Sequence, residues 1–311
     1  MEWQPTASLA VLAERAKFLR DIRIFFEKRQ IMEVETPLLC QGVATDPCLQ
    51  SFEIDQRYLQ TSPEFSMKRL LAAGSGAIYS LGKAFRKEEA GKKHNPEFTM
   101  LEWYRPGWDH YRLITEVDEL FQTLLGSAPA QISTYQACFE EKIGINPHLA
   151  SVEQLRYLEI LQSTGVAGDQ LDRDDLLDLL FSHYIEPHLG QSAPAVIIDF
   201  PASGASLART RQVGSIAVAE RFEFYFKGME LANGYHELTC GIEQKERFER
   251  DAQKRKAKSL AAKPIDQRLL AALQAGLPDC AGVALGVDRL LMLKLGLRDI
   301  SQVLAFAWQE A

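Results

Sequence analysis

The sequence has no apolar run near the roughly 18 residues a membrane helix needs. Its opening, "MEWQPTASLAVLAERAKFLRD", lacks the basic-then-apolar order of a secretory leader. The expectation is a soluble, cytoplasmic protein with no membrane partner. Cysteine is scarce: Cys40, Cys48, Cys138, Cys240 and Cys280 are odd in number and scattered, with no CxxC pair and no Cys/His cluster at metal spacing. That excludes a disulfide framework and a zinc ribbon and predicts reduced thiols. Positive charge is in deficit as well. A net charge of -7 argues against a dedicated nucleic-acid clamp, although a local basic patch can sit inside an acidic total. Repeats, low-complexity tracts and an obvious interdomain linker are missing, as are HExxH and Walker-type GxxxxGK patterns.

What remains is an ordinary enzyme-like composition, 46% hydrophobic and 25% charged over 311 residues, long enough to bury a sizeable core without staples. "SLAVLAERAKFLRDIRIFFEKRQ" has apolar residues at helical spacing behind Ser8 as N-cap, and runs into the alternating segment "IMEVETPLL", stopped by Pro37. A short strand near Arg57 to Gln60 precedes a helix framed by Ser62 as cap, Pro63 at the first helical position and Gly74 at the end. Two strands follow, "AIYSLGKAFRKEE" and "EFTMLEWY". The middle, from about residue 111 to 194, reads mainly helical with breaks at "GSAPA", "GINPH" and "GVAGD". Strands return with "AVIIDFP" and "RFEFYFKGMELANGYHEL", then the charged helix "EQKERFERDAQKRKAKSL" and the strand and helix "GVALGVDRLLMLKLG". Strands joined mostly as hairpins around a helical insertion predict an α+β fold with an antiparallel sheet.

Four places carry chemistry. In "FTMLEWY" both faces of the strand read as buried, yet Glu102 sits in the middle of one, beside Phe98, Met100 and Tyr104. A lone buried carboxylate costs several kcal/mol unless something positive meets it. In "AFRKEE", Arg86 and Glu88 project to one side of a strand, a guanidinium fork for phosphate beside an acceptor; the alternative is a surface ion pair. Glu223 and Glu230 flank the turn "KG", so a hairpin brings two like charges together around a cation, magnesium where phosphates complete the shell. The alternative is two exposed glutamates. Beyond them Asn233, Tyr235 and Glu237 alternate onto one face. In "AGVALGVDRLLML", Gly282 and Gly286 admit a ligand close to the strand, with Arg289 in the next helix turn; plain packing with Asp288 as a cap is the alternative.

Together these segments resemble the class II aminoacyl-tRNA synthetases, specifically the lysyl-tRNA synthetase catalytic domain. "EKRQIMEVETPLL" resembles motif 1, "FRKEEAGKKHNPEFTMLEWY" motif 2, "GVALGVDRLLML" motif 3, and "GMELANGYHEL" the lysine-specific segment between them. The resemblance runs from about residue 12 to 308 and implies one catalytic domain, a helical insertion at about 111–194, and a homodimer built on motif 1. It implies that Arg86 and Arg289 are catalytic, with Arg86 on the ATP α-phosphate and Arg289 on the γ-phosphate. On the same resemblance, Lys87, Glu88, His94, Asn95, Phe98, Glu230, Leu231 and Gly286 would complete the ATP site, with Phe98 stacking on adenine. Glu223 and Glu230 would hold Mg2+. Ser62, Pro63, Glu64, Glu102, Tyr104, Asn233, Tyr235, Glu237 and Ala284 would line the amino-acid pocket, where Glu102 and Glu237 would meet an ammonium.

Two features depart from the synthetases. The motif 1 helix begins within about ten residues of the start, so no anticodon-binding domain is expected, and Ala284 stands where G-x-G-x-G has its middle glycine. Both resemble the stand-alone paralogues that join (R)-β-lysine to a lysine of elongation factor P. The expected reaction is then ATP-dependent activation of lysine or β-lysine and transfer to that protein, with tRNA disfavoured as acceptor. A minimal tRNA-charging enzyme and a catalytically silent regulatory paralogue are the alternatives. Against the latter, Arg86, Glu88, Glu223, Glu230 and Arg289 all stand in register. The basic run Lys254, Arg255, Lys256, Lys258 reads as a contact for an acidic partner or as a solvated helix face.

Overall fold

Ser8 caps the first helix, Leu9–Glu27, by accepting from the Val11 amide, and the helix buries Phe18, Ile22, Phe25 and Phe26. In the computed structural model, which describes residues 3–47, 49–158 and 171–311, the chain divides into two compact units. One comprises residues 1–109 and 237–311, the other residues 110–236. Cys48 and the break "GVAGD" lie outside the described residues. Cys40, Cys138, Cys240 and Cys280 are free thiols. Among the described residues no helix is long and apolar enough to cross a membrane.

In the first unit, "IMEVETPLL" does not form one strand. Pro37 offers no amide hydrogen, and only the short pieces β1 (Met32–Glu33) and β2 (Leu39–Cys40) pair. A small sheet joins β2 to a hairpin of β3 (Glu53–Ile54) and β4 (Arg57–Leu59). The main strands are β5 (Ile78–Phe85), β6 (Glu97–Pro106) and β12 (Cys280–Gly286). β6 pairs antiparallel with both neighbours, while β1 adds to β5 in parallel. Being central, β6 is buried from Thr99 to Tyr104 on both faces. Its Trp103 meets Phe26 edge-on at 5.3 Å, and Phe26 stacks on Tyr79 at 4.4 Å. Such side chains each contribute about 1.5–3 kcal/mol when fully buried.

The second unit starts with the helix His110–Leu125. Its strands are β7 (Gln131–Thr134), β8 (Ala195–Pro201), β9 (Thr210–Val213), β10 (Ile216–Tyr225) and β11 (Glu230–His236). β10 pairs antiparallel with β8, β9 and β11, and β7 lies parallel to β8. The insertion read as mainly helical therefore contains a strand: "QIST" is too short to show a period and is recruited by "AVII", distant in sequence. The helices Tyr135–Lys142 and Arg173–Leu180 cover a core of Tyr135, Phe139, Leu176, Phe181 and Phe200, with Tyr135 stacked on Phe181 at 5.1 Å. Both units are thus mixed α and β, with mostly antiparallel strands and flanking helices, as the sequence predicts.

Asp288 is more than a cap. Buried in the first turn of the helix Val287–Lys294, it accepts from Arg15 at 2.6 Å and from the Thr99 amide at 2.7 Å, so one carboxylate fastens two helices to β6. Arg15 also reaches the Thr99 hydroxyl at 2.7 Å. Removing one partner of a buried pair costs about 3–5 kcal/mol. Asp288→Asn is expected to lower unfolding free energy by about that amount, measured by urea denaturation; a loss under about 1 kcal/mol refutes the fastening role.

Candidate functional site

Glu102 sits at the centre of β6 between Ser80 of β5 and Ala284 of β12, two small neighbours. Among the described residues its hydrogen-bond partners are two hydroxyls. Ser62 donates to one carboxylate oxygen at 2.7 Å and Tyr104 to the other at 2.7 Å. Burial, then the negative charge of Glu64, pushes the Glu102 carboxyl up to about 8 against the pull of the two hydroxyls. Burial and Glu102 hold the Tyr104 phenol well above its usual range. The expected helix frame shifts by one residue: Pro63 is the N-cap of Glu64–Ala72 and makes no side-chain bond, while Ser62 accepts from the Glu64 amide as it donates to Glu102.

Sequence reasoning missed Lys68. It is almost fully buried, 2.7 Å from Glu64 and 2.6 Å from Glu237. Burial alone lowers the pKa of its ammonium, but Glu237 and Glu64 outweigh that and hold it above the usual lysine value. Its only signal in the sequence is the i,i+4 spacing Glu64/Lys68, which ordinarily marks a solvated pair. Glu64, Glu102, Glu237 and Lys68 together carry a net charge of -2 with Glu102 ionised, and -1 with it protonated. Gly282 borders this cluster: a Cβ there would clash with the Tyr104 ring and lie 2.6 Å from a Glu237 oxygen. Ala284, opposite Glu102 in register, brings a methyl where glycine would leave space.

The basic segment behaves differently from the sequence expectation. β5 ends at Phe85, so Arg86 and Glu88 occupy a turn rather than alternate positions of a strand. The peptide groups there are tied elsewhere: the Arg86 amide to the Pro96 carbonyl, and the Lys87 amide to that of Gln50. The Arg86 side chain meets Glu89 at 3.2 Å, and its guanidinium lies 5.3 Å from the Phe98 ring centre. Burial and the nearby Arg289 lower the His94 pKa to about 4, so it is a neutral donor at physiological pH. Arg289 donates to the Lys93 carbonyl at 3.0 Å. Asn95 spends its side chain on the loop, donating to the Glu97 carbonyl at 2.7 Å and accepting from the Trp308 amide at 3.0 Å. Gly286 closes β12 and caps the following helix. Arg255 leaves the proposed basic patch: it is buried and donates to the carbonyls of Ala261 and Asp46 and to Gln50. A surface role for the whole run is thereby corrected, because the guanidinium satisfies buried backbone oxygens.

In the second unit the β10–β11 hairpin forms with Lys227 and Gly228 at positive φ, and a bulge near Tyr225 sets its register. Glu223 lies opposite Asn233, Tyr225 opposite Glu230 and Arg221 opposite Tyr235, with Leu231 buried at the bulge. The cation expected beside Glu223 is already present as Arg221, which donates to it, as does the Tyr225 hydroxyl. Burial pushes the neighbouring Asp178 up to about 6 against the pull of Arg221. A magnesium ion fits this face by donor type, since it carries two carboxylates and each has lone pairs beyond the bonds described.

Because the Glu102 carboxyl is raised in the fold, its contribution to stability is fully present below about pH 4.5 and is lost as pH rises through about 8. In thermal melts across that window, Glu102→Gln is expected to gain steadily on the parent protein. A difference in melting temperature that stays constant with pH refutes the shift.

A family model described as tRNA synthetases class II (D, K and N) matches residues 2–310. An elongation factor P–(R)-β-lysine ligase of Photorhabdus laumondii is 52% identical over 99% of this chain and 98% of its own length. Proteins of that name from Salmonella paratyphi B and Salmonella heidelberg are 51% identical over the same shares. A full-length family match over these motif segments, with relatives of that identity, leaves one assignment: the chain belongs to the class II tRNA synthetase family of the D, K and N type.

Proposed function

We propose that the chain is an ATP-dependent, AMP-forming ligase that activates (R)-β-lysine as its adenylate and transfers it to a lysine side chain of elongation factor P. The observation that carries this reading is the buried cluster of Glu64, Glu102 and Glu237 around Lys68. A lysine-like substrate brings two ammonium groups, which match the net charge of -2 that the cluster reaches when Glu102 ionises. An ammonium beside Glu102 draws its pKa down, so the buried carboxyl releases its proton as the substrate arrives. The methyl of Ala284 next to this carboxylate favours a substrate whose amine is set one carbon away from the usual α position. The names of the relatives support both the acceptor and the β-amino acid.

The chemistry needs no side-chain base in its first step. The substrate carboxylate attacks the α-phosphorus of ATP and pyrophosphate leaves, so the protein's work is alignment and charge dispersal. Arg86 and Arg289 take the α- and γ-phosphate charge, Phe98 supports adenine, and His94 donates as a neutral imidazole to the outer phosphates. Glu223 and Glu230 would hold magnesium, which offsets phosphate charge when bound. In the second step the acceptor amine attacks the activated carbonyl, AMP leaves, and an amide forms. Exposed Met32, Leu38 and Leu39, on the segment resembling motif 1, support a homodimer, and the free thiols support a cytoplasmic setting.

ATP–pyrophosphate exchange is expected to be stronger with β-lysine than with α-lysine, and Arg86→Ala is expected to abolish it while leaving the circular dichroism spectrum intact. Labelled β-lysine is expected to pass to elongation factor P and not to tRNA when each is offered alone. Exchange with no amino acid sinks the ligase reading, and transfer to tRNA alone replaces the acceptor.

A further inference from the structure

The face of the β10–β11 hairpin opposite Glu223 carries a second constellation that the reaction does not use. Register pairs Arg221 with Tyr235, so the next position along sets Glu220 against His236. The His236 Nδ1 lies 2.7 Å from a Glu220 oxygen. The helix His110–Leu125 packs on this same face, held by Phe121 against Phe224 at 5.2 Å, and its first residue brings the third member. His110 is 1% exposed, and its ring centre lies 6.2 Å from that of His236. One ligand atom from each of His110, Glu220 and His236 falls within 4.8 Å of the other two.

We propose that these three side chains form a binding site for a zinc-class divalent ion. Two imidazoles and one carboxylate are donors for zinc and its first-row neighbours rather than for magnesium or calcium, which take oxygen shells. Bonds of about 2.0–2.2 Å need the donors to draw in by roughly an ångström at their widest, a side-chain adjustment. The surroundings are built to hold the carboxylate. Arg211 lies 3.7 Å from the other Glu220 oxygen and is itself anchored on Asp199 at 2.5 Å and on the Tyr111 hydroxyl at 3.2 Å. Tyr111 in turn lies against His110, ring centres 4.1 Å apart. With neutral imidazoles, Glu220, Asp199 and Arg211 sum to one negative charge, so a divalent cation meets net attraction despite the guanidinium. Glu220 and His236 keep 16% and 13% of their side-chain surface, enough for an ion to enter and a water to complete four-coordination. Such an ion fastens the start of the helix to the back of the hairpin whose front carries Glu223 and Asn233.

The test uses the full chain after chelator treatment. Equilibrium dialysis with Zn2+ is expected to give one ion per chain, and Co2+ titration is expected to give the visible bands of a four-coordinate nitrogen and oxygen site. His110→Ala and Glu220→Gln are each expected to weaken binding about tenfold or more. The Glu220 variant decides the matter if the buried His110 substitution fails to fold. No stoichiometric binding, or binding that Glu220→Gln leaves unchanged, overturns the proposal. Neither readout depends on ligase activity.

Discussion

Burying a carboxylate in the middle of a central strand constrains everything around it. Glu102 cannot be left alone at that depth, so Ser62 and Tyr104 turn their hydroxyls to it and its proton is retained to about pH 8. The residues beside it on the neighbouring strands, Ser80 and Ala284, are both small. Lys68 then becomes necessary, because Glu64 and Glu237 would otherwise add two more like charges to the same volume. The result is a buried cluster of three carboxylates around one ammonium, negative in sum and tied together by hydrogen bonds.

Other bonds of the first unit anchor the elements around that cluster. Asp288 ties the opening helix and the last helix to β6 beside Thr99, at the end of the strand away from Tyr104. Arg255, Gln50 and the Lys87 amide form a chain of bonds that braces the turn carrying Arg86. The Arg15–Asp288 pair is largely buried and charge-assisted, stronger and more directional than a surface pair. In the second unit the same logic recurs on both faces of a single hairpin. Arg221 offsets Glu223 on one face, and Arg211 steadies Glu220 on the other.

Local rules made much of the fold legible. Ser8 as a cap, the run Glu97–Pro106 as a strand and the helix after Gly286 all follow from side-chain chemistry within a few residues. Local rules failed where a partner came from afar. "IMEVETPLL" alternates like a strand yet pairs only at its ends, and "QIST" shows no period yet joins β8. Alternation puts Arg86 and Glu88 on one strand face, but the strand ends at Phe85, just before them.

The sequence alone determined the family, the order of the motifs and the misplaced charge at Glu102, because these depend on residue type and spacing along the chain. Tertiary structure decided what each charge meets. Lys68, which drew no reading from the sequence, is the buried counter-ion of Glu237 and Glu64. Arg255 looked like part of a basic patch and proved to be a core clamp. His110, Glu220 and His236 have no spacing that suggests a cluster, and only packing a helix on a hairpin assembles them. Electrostatic energy depends on distance and burial, and neither is a property of the chain until it folds.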